Sequence, residues 1–254
     1  MGASWLAVMV AGQGVFLLYV LGLYGRATLR GDRAAWATTM PRGLVPGDGV
    51  GNTAVVAHIA LAVVILAAGA VQLLPVVRRR LPALHRWSGR VYLGSCLATS
   101  VAGVWLVWAR GTVGDTSQHL AITGNALLLV ASTVMAWRTA RARDIAAHRR
   151  WALHVVLFAS GVFHFRILLA LWLVLHRGPV GFDPQRFAGP FLTVLAWSVY
   201  VVLPPLGLAL VERARRSARG GVHLAAAVGL AALTVITAAG VGAAWLLLWA
   251  PRLR

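Results

Sequence analysis

The chain has no lysine, one cysteine and six acidic residues among 254 positions. The missing lysine by itself excludes no class of function. The single cysteine, Cys96, excludes an intrachain disulfide and any cysteine-built zinc or iron–sulfur cage. The six acids, Asp32, Asp48, Asp115, Asp144, Asp183 and Glu212, all fall in loops or near the ends of apolar runs. No glycine-rich phosphate loop, HExxH pair or nucleophile motif is present, so no hydrolase or nucleotide-binding reading has a foothold. Apolar residues are abundant instead. At 59% hydrophobic and 12% charged the chain is too apolar for a soluble globule.

A net charge of +18 would suggest nucleic acid in a soluble protein. Here the arginines cluster in short turns between apolar runs, where membrane orientation accounts for them and nucleic acid does not. Runs of about 20 apolar residues suffice to cross a hydrocarbon core roughly 30 Å thick. The expected fold is all-α, one transmembrane domain over residues 1–254 with about seven spans. These are about Trp5–Tyr24, Thr53–Leu74, Leu84–Ala109, Gln118–Trp137, Trp151–Leu175, Pro190–Val211 and His223–Trp249. A Gly-, Pro- and Arg-rich loop, Gly25–Asn52, joins the first two. Met1–Ser4 lacks a positive n-region, so the first run reads as a retained span rather than a cleaved signal.

Arginine counting orients the spans. The turns after spans two, four and six hold fourteen: Arg78, Arg79, Arg80, Arg86 and Arg90; Arg138, Arg141, Arg143, Arg149 and Arg150; Arg213, Arg215, Arg216 and Arg219. Nine lie on the other side, Arg26, Arg30, Arg33, Arg42, Arg110, Arg177, Arg186, Arg252 and Arg254, and Arg166 is inside span five. The richer side is expected to be cytoplasmic, with the N-terminus inside and the C-terminus outside. Tryptophans 105, 108, 137, 151, 172, 245 and 249 stand near span ends and read first as interface anchors.

Residues 53–175 carry an internal repeat, with 1–24 and 190–249 as peripheral spans. Each unit reads histidine, apolar span, arginine turn, histidine–arginine, tryptophan, span. His58 and His85 match His119 and His148 at an offset of 61 to 63 residues. Two hairpins in the same orientation imply a pseudo-two-fold axis along the membrane normal. His58, Ala62, Ile65, Gly69 and Gln72 share a helical stripe, as do His85, Gly89, Tyr92, Cys96 and Thr99, and His119, Thr123, Ala126 and Thr133. The expected consequence is that His58 meets His119 near one face and His85 meets His148 near the other. Such pairs are what a six-coordinate b-type haem requires of its protein.

These residues resemble the transmembrane di-haem cytochromes of the b561 type, whose ligands come pairwise from the second and fourth, and third and fifth, spans. The segment Leu84-His85-Arg86-Trp87-Ser88-Gly89 is similar to that family's leucine-histidine-serine-tryptophan-leucine-glycine segment. A closer likeness is to a bacterial family of multi-span membrane proteins of unknown function. It is carried by His58, Arg80, the HRxxGRxY motif at His85–Tyr92, the HRRW motif at His148–Trp151 and Arg166, over about residues 53–212 including Trp197 and Glu212. That likeness implies a bacterial cytoplasmic-membrane protein.

The reading that follows is a haem-b electron-transfer protein, a possible membrane oxidoreductase, working between a quinone or small reductant and an acceptor. It places iron on His85 with His148 (or its rival His154) and on His58 with His119. Arg80, Arg90 and Arg149 would contact propionates. Arg166, a cation inside a span, would take a propionate, a quinone oxygen or a carboxylate. His164 lies beside it on a nearly opposite face, and Asp144, four residues before His148, could orient that imidazole. The alternative is a non-redox membrane protein, a small transporter or accessory subunit, whose His/Arg turns bind anionic headgroups. A metal site of His58, His119 and His164 is a third reading.

Overall fold

A computed structural model describes residues 2–37 and 43–253. Met1, Arg42 and Arg254, used above for the N-terminal reading and the arginine count, lie outside the described residues. The chain is a helical bundle: α1 Ser4–Leu29, α2 Gly49–Leu73, α3 Pro82–Arg110, α4 Thr116–Arg141, α5 Ile145–Ala159, α6 Gly161–His176, α7 Pro190–Arg216 and α8 Gly220–Arg252. Six of these are long and apolar enough to span a membrane, and α5 with α6 meet the same test as a bent pair, giving up to seven. The described residues hold no strand beyond one isolated bridge, Asp183–Ala188. In hydrocarbon every backbone N–H needs a partner within its own segment, which is why the apolar runs become helices.

The surface is apolar where a soluble protein would be polar. Leu18, Leu127, Val235 and Leu246 are all exposed, as expected of side chains that face lipid. One core cluster runs through most of the bundle. It takes Met9 and Phe16 from α1, Ile65 from α2, Tyr92 and Cys96 from α3, Leu129 from α4, Val155 from α5, and Phe163 from α6. Ala243, Ala244 and Trp249 of α8 complete it, so the first and last spans share the core of the repeat. Trp249 is therefore not an interface anchor but a fully buried side chain against Phe16 and Tyr19. Trp105, Trp108, Trp137 and Trp245 are exposed, as anchors should be. α7 packs through a second cluster, in which Leu192, Ala196 and Tyr200 meet Phe165 and Leu169 of α6.

Each of the scarce acids has a local task. Asp48, Asp115 and Asp144 cap the N-termini of α2, α4 and α5, accepting from the amides of Gly51, Gln118 and Ala147 at 2.8–2.9 Å. Asp32 accepts from Ala35 N, Asp183 from Gln185 N and Arg186 N, and Glu212 pairs with Arg216. Pro75 and Pro82 start the two helices of the first arginine turn, Pro75–Arg80 and α3, where a missing N–H costs nothing.

The fifth span departs from the straight helix Trp151–Leu175 that its apolar run suggests. It begins at Ile145 and breaks at Ser160, where α5 and α6 diverge by 48°. No proline is involved. The Ser160 hydroxyl donates to the Val156 carbonyl at 2.6 Å and Gly161 follows, a serine–glycine pair of the kind that bends helices. Groups released by the break find partners: Asn125 of α4 donates its Nδ2 to the Phe158 carbonyl, and Gln13 of α1 donates its Nε2 to Ser160 Oγ at 2.7 Å.

Candidate functional site

The predicted stripes of α2 and α3 are real, but they face each other. Running from one rim to the other, His58 meets Gly103, Gly69 meets Tyr92, and Gln72 meets Gly89 in an antiparallel register. A Cβ added at Gly103 would lie 3.2 Å from the His58 ring, at Gly69 3.2 Å from Tyr92, and at Gly89 3.1 Å from Gln72 Oε1. The small residues on these stripes serve close helix packing, not a slot for a flat ligand. The cavity lined by Gln13, Ile65, Gly69, Tyr92, Val156 and Ser160 measures ≈ 10 Å³, at the margin of what holds a single water.

This register decides the fate of the outer pair. His58 is turned onto Thr99 and Gly103 of its own hairpin. Its Nδ1 is buried without a partner among the described residues. His119 is near the very start of α4, with Nε2 at 3.3 Å from the Val113 carbonyl and its ring edge-on to Trp108. Both imidazoles thus pack toward the same end of α3, His58 on Gly103 and His119 on Trp108. His164 bonds through Nδ1 to the Ser160 carbonyl. No three His, Cys, Asp or Glu side chains among the described residues converge on a metal position, so the three-histidine site is not formed.

At the arginine-rich rim the two hairpins behave alike. In the first, Gln72 Nε2 donates to the His85 carbonyl at 2.9 Å and to Ser88 Oγ at 2.7 Å. In the second, His148 Nδ1 meets the Ala136 carbonyl at 2.9 Å. Each hairpin is thus crossed by a side chain that bonds the facing backbone, Gln72 to His85 and His148 to Ala136. An imidazole nitrogen facing a carbonyl must carry a proton, so His148 presents Nδ1–H to Ala136 and turns Nε2 away from that bond. The orienting acceptor is Ala136 and not Asp144, which caps α5 instead. His85 lies within electrostatic reach of His148, Arg78 and Arg86, and its Nδ1 is buried without a partner among the described residues. His85 near the start of α3 and His148 near the start of α5 thus both stand at the arginine-rich rim.

The remaining predicted residues scatter. His154 bonds its own helix through Nδ1 to the Arg150 carbonyl and lies between Trp151 and Phe158. Arg80, Arg90 and Arg149 are exposed at the rim. Arg166 sits over the Phe16 ring, with Cζ 5.5 Å from its centroid. At the opposite rim Arg110, 7% exposed, bonds Asp48 at 2.9 Å together with the Gly43 carbonyl and Asn52. That guanidinium, with the Gly51 amide, holds the Asp48 carboxyl below the usual carboxylate range. Gln72, Gln13 and Asn125 escaped sequence reasoning as bundle cross-links. The signal was available, since an amide inside an apolar span needs a partner.

Fold, apolar surface and arginine-rich turns together define a multi-span helical integral membrane protein. The chain belongs to the family described as predicted membrane protein DUF2306, which matches residues 55–208, about three-fifths of its length and all of the repeat's histidine–arginine turns. No curated protein matches the chain, and no solved structure does.

Proposed function

We propose that this protein is a membrane electron-transfer protein holding one b-type haem at the arginine-rich rim, with His85 and His148 as axial ligands. What supports the reading is that equivalent positions of the two hairpins each supply an imidazole at this rim, with His85 within electrostatic reach of His148. Their chemistry suits iron. His148 donates Nδ1–H to a backbone carbonyl and keeps Nε2 free, the usual arrangement around a metal-bound imidazole. His85 has a buried nitrogen that no described residue satisfies. Gln72 fixes the first turn of α3 and with it His85. Arg78 and Arg86 supply positive charge for propionates, and the exposed Arg80, Arg90 and Arg149 add to it. Bound there, haem supplies reversible one-electron chemistry at one membrane face, and the likeness to b561-type cytochromes supports the same assignment. His58 and His119 have no part in this single centre.

Protein purified from haem-replete bacterial cells should be red, with a Soret band that sharpens and shifts on dithionite reduction. His85→Ala and His148→Ala should each abolish it, while His58→Ala and His119→Ala keep it. A colourless wild type, or a Soret band that survives loss of His85, overturns the proposal. The exposed arginines favour one rival: a non-redox transporter or accessory subunit whose rim binds anionic headgroups. That rival expects a colourless protein that retains phosphatidylglycerol through detergent exchange and loses it on substitution of Arg80, Arg90 and Arg149.

A further inference from the structure

We infer that the break in the fifth span builds a mid-membrane site for an amphiphilic organic carboxylate, with Arg166 as its counter-charge. The depth follows from the helices. Arg166 is ten residues from the His176 end of α6, and Tyr200 is ten residues from the Pro190 start of α7. At 1.5 Å per residue both stand about 15 Å from that rim, the middle of a core roughly 30 Å thick.

A positive charge at that depth must be met by something. The chain does not meet it. The three ion pairs among the described residues, Arg110–Asp48, Arg186–Asp183 and Arg216–Glu212, lie at helix ends or in loops. All six acids are occupied with caps, turns or those pairs. Arg166 makes no hydrogen bond to any described residue, and its one ring contact, with Phe16, is worth less than the cost of centring an arginine in lipid.

A second observation points the same way. The hydroxyl of Tyr200 is a donor left open beside Arg166, near a break that also gathers Asn125. Asn125 spends its Nδ2 on the Phe158 carbonyl, and its Oδ1 is buried without a partner among the described residues. A Cβ at Gly161 would lie 2.8 Å from Tyr200 Cδ1 and 3.3 Å from Asn125 Oδ1, so the break admits the Tyr200 ring beside that oxygen. Tyr200 is within electrostatic reach of Arg166, and its hydroxyl has no partner among the described residues. It rides on a π-helical turn, Ser198–Val202, a distortion common at functional sites. The Arg166 guanidinium of α6 and the Tyr200 hydroxyl of α7 are the donors available to an oxyanion, and the Phe16 ring covers the cation. The occupant that fits is an oxyanion on an apolar body, reached from the bilayer. A neutral molecule would leave the charge unmet.

The test uses the purified full chain in detergent and an anthroyloxy-labelled stearic acid, read by energy transfer from tryptophan, with the methyl ester of the same probe as control. The acid should bind saturably and about tenfold or more tightly than the ester. Arg166→Gln should erase that preference and Arg166→Lys should keep most of it, with Cys96 still shielded from thiol reagents in both variants. An ester that binds as well as the acid overturns the inference, as does a preference that survives in R166Q. The same preference is expected in the His85→Ala protein, so the outcome is independent of the haem proposal.

Discussion

The tightest approach of two helix backbones offers the sharpest test of the packing argument. A Cβ placed on Gly240 of α8 would lie 2.9 Å from the Ile167 carbonyl oxygen, 3.1 Å from its Cβ and 3.2 Å from its carbonyl carbon. Those are α6 backbone and near-backbone atoms that cannot swing aside. Two residues along the same helix, a Cβ on Gly242 would meet nothing within 4 Å. Gly240→Ala and Gly242→Ala therefore share one gain, about 0.5–1 kcal/mol of helix propensity. Only the first adds overpacking, which costs about 1–3 kcal/mol where the core cannot yield. Their difference isolates the packing term. At about 2–4 °C per kcal/mol for a chain of this size, G240A should melt roughly 2–12 °C below G242A. The protein carries its own reporter, since its single cysteine, Cys96, is fully buried. A thiol-reactive fluorogenic dye should stay dark until unfolding. Equal melting temperatures for the two variants would refute the claim that Gly240 sets the distance between α6 and α8.

Other outcomes follow from the same geometry. Gln72→Leu removes two cross-hairpin hydrogen bonds to His85 and Ser88. At about 1 kcal/mol each it should lower the melting temperature by roughly 4–8 °C, and an unchanged melt would deny Gln72 its bridging role. Asp48 has a depressed folded-state pKa, so the stability it lends is complete above its unfolded value of about 3.9 and is lost as pH falls through the folded one. Hydrogen exchange over residues 43–52, corrected for intrinsic rates, should therefore accelerate below about pH 4 in the wild type. In Asp48→Asn it should be fast and flat across the same range, and matching pH profiles for the two proteins would sink the assignment. The haem and carboxylate experiments above add the functional outcomes, each read without reference to the other.

Much of the architecture was written in composition and periodicity. Long apolar runs dictate helices because hydrocarbon leaves a backbone no other partner. The stripes ending at Gln72 and beginning at His85 identified the faces of α2 and α3 that are buried. The acids were placed at span ends and in loops by the sequence, where three of them cap helices. What periodicity does not contain is the identity of the facing partner. A stripe says which side of a helix is special and is silent on which neighbour comes to it. For His58 the neighbour that comes is α3, which the hairpin turn brings against α2 and the glycines let close.

The break at Ser160 was hidden for a related reason. Serine–glycine is common in straight membrane helices, and it bends this one because Asn125 and Gln13 wait on α4 and α1 to satisfy what the bend exposes. Those partners are 33 and 147 residues away in sequence. The sequence alone determined that this is a multi-span helical membrane protein, which faces of its repeat are buried and where its charges gather, because those properties are local and set by solvent. Only the tertiary structure decided which element each imidazole packs against and which cation is left without a partner. Those depend on contacts between segments whose order in space the linear pattern does not encode.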